Sequence, residues 1–193
     1  MSEPAGPPVI PFPTAADWEA WLEENHAAPD GIWMKLGKKS AEEPSITYAE
    51  AVIVALCFGW IDGQAKGLDA EWYLQRFTPR RKRSVWSRVN RDRAEALIAE
   101  GRMRPAGLAA IEAARADGRW DAAYEPSSTI TGPDDLRAAL DSSPAAAEMF
   151  ETLNKVNRYA ILYRVTTAVR PETRRARIEK FVAMLERGEK IHN

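Results

Sequence analysis

One cysteine and two histidines are too few for a disulfide framework or for a metal centre built on cysteine or histidine, and they leave little room for a conventional Ser-His-Asp triad. The histidines are His26 and His192, the second being the penultimate residue. No apolar run approaches the about 18 residues of a membrane-spanning helix, so no membrane insertion is expected. No glycine-rich phosphate loop of the P-loop or dinucleotide type is present. Neither sign of charge is in excess: 27 Lys and Arg face 28 Asp and Glu, a net charge of −1. A global field of the kind that draws nucleic acid or membranes is therefore missing. The stretch from Met1 to Pro13 has neither a basic start nor an apolar segment, so no signal peptide is expected there. The expected location is cytoplasmic, with no metal and no cofactor. What remains is 193 residues, 45% apolar and 28% charged, ordinary for a globular chain with a sizeable core.

Punctuation along the chain divides it. Residues 1–8 hold Pro4, Pro7 and Pro8 and read as a flexible tail. Val9 to Phe12 reads as an edge strand, because Pro11 lacks the N–H that a central strand needs. Thr14 and Asp17 have the spacing of a helix start, and Trp18, Trp21 and Leu22 share one face of a helix reaching about Asn25. Gly31 to Leu36 reads as a strand. Thr47 and Glu50 have capping-box spacing ahead of Ala51–Phe58, which is apolar nearly all round and should form the most buried helix, ended by Gly59. Two strands follow, over 60–66 and 72–77, antiparallel and joined through Gly67–Ala70. In the second, Trp72, Leu74 and Arg76 point one way and Tyr73, Gln75 and Phe77 the other.

Beyond Pro79 the pattern turns helical. Pro105 and Gly118 bracket one helix in the usual order. Residues 121–132, rich in Ser, Thr, Pro and Gly, read as a linker. The final helix, opened by Pro171 and closed by Gly188, carries the stripe Ile178, Phe181, Val182 and Leu185, which requires a covering partner, expected in the α+β core. The expected architecture is α+β: a small, mostly antiparallel sheet with packed helices over 9–120, then an all-helical region over 133–188 and a tail over 189–193.

The informative chemistry lies between Gly59 and Arg93. Eight basic residues (Arg76, Arg80, Arg81, Lys82, Arg83, Arg88, Arg91 and Arg93) stand there against one acid after Arg76, Asp92. Hydroxyls (Thr78, Ser84, Ser87) and aromatics (Trp60, Tyr73, Phe77, Trp86) are interleaved with them. Guanidinium groups beside a helix start capped by Ser84 or Ser87 suit an anion, and Arg102 and Arg104 are candidates to extend the patch. Three readings stand: a solvated loop without a ligand, a site for a small anionic or phosphate-bearing ligand, and a nucleic-acid surface. The ligand-binding candidates are Trp60, Asp62, Gln64, Tyr73, Arg76, Thr78, Arg80, Arg81, Ser84, Trp86 and Ser87. Asp62 and Asp69 could form a carboxylate pair for acid/base work; otherwise Asp62 stabilises a turn or pairs with an arginine. Cys57, inside the most apolar helix, is expected to be buried and inert. His26, at a helix end, suits the C-terminal dipole.

The strings PSITYAEA from Pro44, ALCFGWIDG from Ala55, QRFTPRR from Gln75 and Trp86-Ser87 resemble the YdeI or OmpD-associated family of bacteria, which carries a bacteriocin-protection label. So do GRMRPAG from Gly101 and RPETRRARI from Arg170. The resemblance extends from about Phe12 to Gly188. One departure lies at Asn154 to Arg164, where a more polar helix start is expected. The resemblance implies a bacterial cytoplasmic protein with an α+β core and a helical C-terminal part, and brings no catalytic residues with it. The expected role is a non-catalytic protein that binds a small anionic ligand and is linked to envelope or antimicrobial-peptide stress. The alternatives are a nucleic-acid-binding protein using Arg76–Arg93 and an enzyme with a polar site around Asp62. The oligomeric state is left open.

Overall fold

The computed structural model describes residues 6–192. Residues 1–5 of the expected tail lie outside the described residues, as does Asn193. The chain is α+β. Its four strands are β1 (Val9–Pro11), β2 (Ile32–Gly37), β3 (Trp60–Gly67) and β4 (Trp72–Pro79), in the order β1-β2-β4-β3. β1 runs parallel to β2, and the other pairings are antiparallel. Pro11 thus sits on an edge strand, where a missing N–H costs no ladder bond.

The β3–β4 hairpin turns where the sequence expects it. Asp69 Oδ1 accepts the backbone N–H of Glu71 at 2.8 Å and of Trp72 at 2.7 Å, which closes the turn. β4 runs on past Phe77 to Pro79, and Arg80 N–H still donates to Gly59 O at 2.9 Å. One feature was not legible: the register slips between Asp62 and Ala65. Buried Gln75 secures that bulge, its amide donating to Gly63 O at 2.8 Å.

The pleat sorts the sheet into two faces. Ile32 pairs with Phe77, Met34 with Gln75 and Leu36 with Tyr73; these point one way. Trp33 pairs with Arg76 and Lys35 with Leu74; these point the other way. The first face is closed by α1 (Ala15–Asn25) and α2 (Tyr48–Cys57). Both helices begin with reciprocal capping boxes, Thr14 with Asp17 and Thr47 with Glu50. Six residues of α2 are buried, from Ala51 to Cys57 with only Ile53 partly open. At the centre lies Trp18, whose ring centroid is 5.0 Å from Phe12, 5.7 Å from Trp60 and 5.8 Å from Phe77. Its indole N–H donates to Ala51 O at 3.2 Å. Aromatic pairs of this geometry add about 0.5–1.5 kcal/mol each beyond their buried area.

Two further helices are α3 (Arg88–Ala99) and α4 (Pro105–Ala116). Gly107 brings α4 close to the end of α2: a Cβ there would stand 2.2 Å from Cys57 O. Cys57 itself is buried, and burial pushes its thiol pKa up.

The chain forms two compact units. One comprises the residues up to Ser84 with Arg93–Ala113, and the other Val85–Asp92 with the residues from Ala114 onward. In the second unit, Ser87 bridges to Tyr124, Arg88 N–H donates to Tyr124 O at 2.8 Å, and Trp86 meets Trp120 edge-on at 4.8 Å. Its helices are α5 (Asp134–Asp141), α6 (Pro144–Thr152), α7 (Lys155–Thr166) and α8 (Pro171–Glu186). The α8 stripe is covered by this unit's own helices: Ile178, Phe181 and Leu185 join Leu136, Leu140, Leu153, Ile161 and Val165 in one cluster. Asp135 and Arg174 form a two-point ion pair, which holds the Asp135 carboxyl below its usual range. Buried Asn157 ties down the end of the chain, accepting His192 N–H at 2.8 Å and donating to His192 O at 3.1 Å.

Two outcomes follow. An exposed helical Gly→Ala change stabilises a helix by about 1 kcal/mol; Gly107→Ala instead drives a methyl into the α2 carbonyl and should destabilise by about 1–3 kcal/mol in denaturant unfolding. Cys57 in the native protein should react with a thiol reagent at a small fraction of the unfolded chain's rate.

Candidate functional site

The structure distributes the sequence candidates over several surroundings. Trp60 is 1% exposed; its indole N–H donates to His26 O at 2.8 Å, and it stands edge-on to Trp18 and Trp21. It is a pillar of the core. His26 caps the C-terminus of α1. Tyr73 lies half-buried on the inner face, where burial raises its phenol pKa. Gln64 is exposed at the bulge. Trp86 and Ser87 belong to the helical unit, where Trp86 is 1% exposed and Ser87 caps α3, its Oγ accepting Asn90 N–H at 3.2 Å. Ser84 instead closes a turn, its Oγ accepting Arg81 N–H at 2.9 Å. Trp60, Asp62 and Arg76 do not converge on one cavity, since Trp60 is enclosed and Arg76 points to the opposite face of the sheet.

Asp62 is engaged by a residue the sequence reading used only as part of a string. Tyr48 donates its phenol O–H to Asp62 Oδ2 at 2.7 Å. Burial first, then the bond and charge of Asp62, raise the Tyr48 pKa well above the ordinary phenol range, while the Arg93 charge opposes the shift. Asp62 and Asp69 make no acid/base pair. Asp62 lies near the start of β3, whereas Asp69 lies beyond its end, in the turn before β4, seven residues further on. Asp69 is spent on the hairpin turn.

The basic run is likewise taken apart. Arg88 pairs with Glu125 and Arg91 with Asp92. Arg102 pairs with Glu100 at 3.2 Å, while Arg104 reaches Glu19 at 2.8 Å and Glu23 at 3.0 Å, so neither extends an open patch. Arg80 is half-buried beside Gly59. Arg76 is different. It lies on the outer sheet face, 5.7 Å from the centroid of Trp33, and donates to the carbonyls of Asp30 and Phe77. Burial lowers the Arg76 pKa, the nearby Asp30 carboxylate opposes that shift, and the charge of exposed Arg81 adds to it. Thr78 lies on the same face, opposite Ile61, at the end of β4 that presses on Gly31; Gly31 has φ +59°, and a Cβ there would stand 2.2 Å from Phe77 O.

Four residues of this face, Trp33, Lys35, Lys66 and Trp72, were missed from the sequence as site candidates. Lys66 Nζ lies 4.3 Å from the centroid of Trp33, and Lys35 Nζ lies 3.9 Å from that of Trp72. Leu74, flanked by Lys35 and Lys66 across its two neighbouring strands, is only 4% exposed because lysine stems cover it. Their signal was available in the alternation of Ile32 to Leu36, which puts Trp33 and Lys35 opposite the buried Ile32, Met34 and Leu36. Among the described residues, Lys35, Lys66 and Arg76 have no carboxylate within ion-pair distance. No acid occupies a paired outward position of β1, β2 or β4. Chemically, the face offers cations backed by aromatic rings, with the Asp30 carboxylate near enough for its charge to act on Arg76 but not ion-paired with it.

The Tyr48–Asp62 contact sets an alkaline limit. The folded state holds the Tyr48 proton more tightly than the unfolded chain, whose phenol ionises near pH 10. Stability is therefore full below that pH and declines above it. Tyr48→Phe should flatten the loss of stability between pH 10 and 11 in denaturant titrations.

Residues 10–110 match the family model of a domain of unknown function (DUF8412), and residues 129–188 match the model described as Bacteriocin-protection, YdeI or OmpD-Associated. Comparison with curated proteins and with solved structures found no match. The strings between Pro44 and Gly107 that carried the resemblance lie in the first matched region, and the string from Arg170 in the second. The first match covers just over half of the chain, so the chain belongs to the DUF8412 family, while its residues 129–188 are similar to the bacteriocin-protection, YdeI or OmpD-associated family.

Proposed function

We propose that this is a non-catalytic cytoplasmic protein that binds a small anionic ligand on the outer sheet face, around Arg76, and that the binding serves envelope or antimicrobial-peptide stress. The observation that carries the reading is the pairing of Lys35, Lys66 and Arg76 with Trp72 and Trp33 on a face free of ion-paired carboxylates. A cation held against an indole keeps its charge while losing freedom, so an arriving anion meets positioned donors. Thr78 and Arg81 at the same end of β4 supply a hydroxyl and a further cation. The bacteriocin-protection description of the C-terminal family supports the stress role.

The reading predicts saturable binding of inorganic pyrophosphate, followed by quenching of tryptophan fluorescence. Arg76→Ala should weaken it by about 1–3 kcal/mol, the range of charge-assisted hydrogen bonds. Lys66→Ala should weaken it by less and, by uncovering Leu74, lower the unfolding midpoint slightly. Unaltered affinity in both variants would overturn the assignment. A second reading draws on the same face: a strand surface on which cations alternate with indoles also suits single-stranded nucleic acid. An oligonucleotide would show a steep loss of affinity with salt, less steep by about one unit for each cation removed, whereas a small anion shows a shallow slope.

A further inference from the structure

The helical unit carries a second constellation, separate from the sheet face. Lys155, Arg158, Tyr159 and Leu162 recur at i, i+3, i+4 and i+7, so they share one face of α7. Opposite them the chain makes a tight turn in which Thr129 and Ile130 N–H both donate to Pro126 O at 3.0 Å. That turn presents Ser127 and Ser128. Together with Ile130 these side chains line a cavity of about 360 Å³. Its composition is uneven: Leu162, Ile130 and the Tyr159 ring give apolar wall, while two hydroxyls, a phenol, an ammonium and a guanidinium bring donors.

Most of those donors are uncommitted. Among the described residues, the side chains of Ser127, Ser128, Lys155 and Tyr159 make no hydrogen bond or ion pair within the protein. Arg158 spends one nitrogen on Glu151, with its carbonyl at 2.9 Å and carboxylate at 3.3 Å, and its guanidinium lies 5.4 Å from the Phe150 ring. Glu151 lines the neighbouring cavity beside Leu136 and Phe150, so no acid faces this one. Burial and the neighbouring Tyr163 raise the Tyr159 pKa, and its phenol, a donor at neutral pH in any case, faces the cavity.

We propose that this cavity is a binding site for a phosphate monoester carried on an apolar group. Unpaired Lys155, helped by Arg158, whose charge is shared with Glu151, faces the charge of about −1.5 to −2 on a phosphomonoester, and the three hydroxyls with the ammonium match its three terminal oxygens. Lys155 and Ser127–Ser128 hold the phosphate from the two sides of the cleft. Leu162, Ile130 and the Tyr159 ring take the apolar group, as in most small-molecule sites, where a few polar groups orient a ligand against an apolar wall.

Calorimetric titration of the full chain with phenyl phosphate tests this, with inorganic phosphate as the second probe. Phenyl phosphate should saturate this site and bind it at least several-fold more tightly than inorganic phosphate does. Lys155→Ala should weaken it about tenfold or more, and Tyr159→Phe several-fold. Lys155 is exposed and unpaired, so its variant should keep the wild-type unfolding midpoint and circular dichroism. The same titration in an Arg76→Ala background, which removes what the sheet face contributes, should still show the site that Lys155→Ala weakens, which separates this site from the sheet face. The proposal is overturned by an absence of saturable binding at millimolar phenyl phosphate, by affinity indifferent to both Lys155→Ala and Tyr159→Phe, or by loss of binding with Arg76→Ala alone. Equal affinity for the two probes would overturn the apolar half of the assignment.

Discussion

The α+β unit is organised around one indole. Trp18 is fully buried and touches Phe12 just beyond β1, Trp21 on its own helix, Trp60 at the start of β3 and Phe77 near the end of β4, while its N–H reaches the α2 backbone. A side chain with contacts on so many elements leaves each little freedom to slide. The buried N–H adds a direction to what is otherwise non-directional packing, because an unmade bond there would cost about 1–3 kcal/mol. The reciprocal capping boxes at Thr14 and Thr47 then start the two covering helices at defined residues.

The outer face follows from the inner one. Once Ile32, Met34, Leu36 and Phe77 are committed to the Trp18 side, the period of two sends Trp33, Lys35, Leu74 and Arg76 outward. Leu74 is sheltered there by lysine stems instead of a helix, so burial of an apolar residue and presentation of charge are performed by the same side chains. This coupling is why the face has so few alternatives: an acid in place of Lys35 or Lys66 would uncover Leu74 and lose its indole partner. The Gln75 amide, buried at the bulge, releases β3 from strict pairing just where Asp62 turns toward Tyr48.

The helical unit is held by a different logic. Its helices, of 8 to 16 residues, bury a shared apolar cluster, and they are joined by specific polar links: Asp135 with Arg174, Asn157 with the His192 backbone, Ser143 with Glu186. Such links give direction to a cluster of Leu, Ile and Val that could pack in more than one register. On one face of α7 the cluster's edge at Leu162 and Ile130 meets the polar groups of Lys155, Ser127 and Ser128, and a cavity of mixed lining forms there.

Local signals in the chain were enough for the α+β class, the edge position of the Pro11 strand, both capping boxes, the hairpin at Gly67–Ala70, the burial of Cys57 and the helical C-terminal part. Each rests on spacing within a few residues: a missing N–H, a hydroxyl three positions before a carboxylate, a period of two or of 3.6. The site was less legible. Arg76 stood out as part of a basic run, but the run is contiguous only along the chain. Folding sends Arg88 to Glu125, seats Trp60 in the core and ties Ser84 into a turn, while Lys35 and Lys66, 31 residues apart in sequence, come to flank one leucine. Which cations share a face is settled by strand register, and register depends on the bulge at Asp62 and on the packing of Trp18. Both are long-range contacts, and neither local spacing nor composition encodes them.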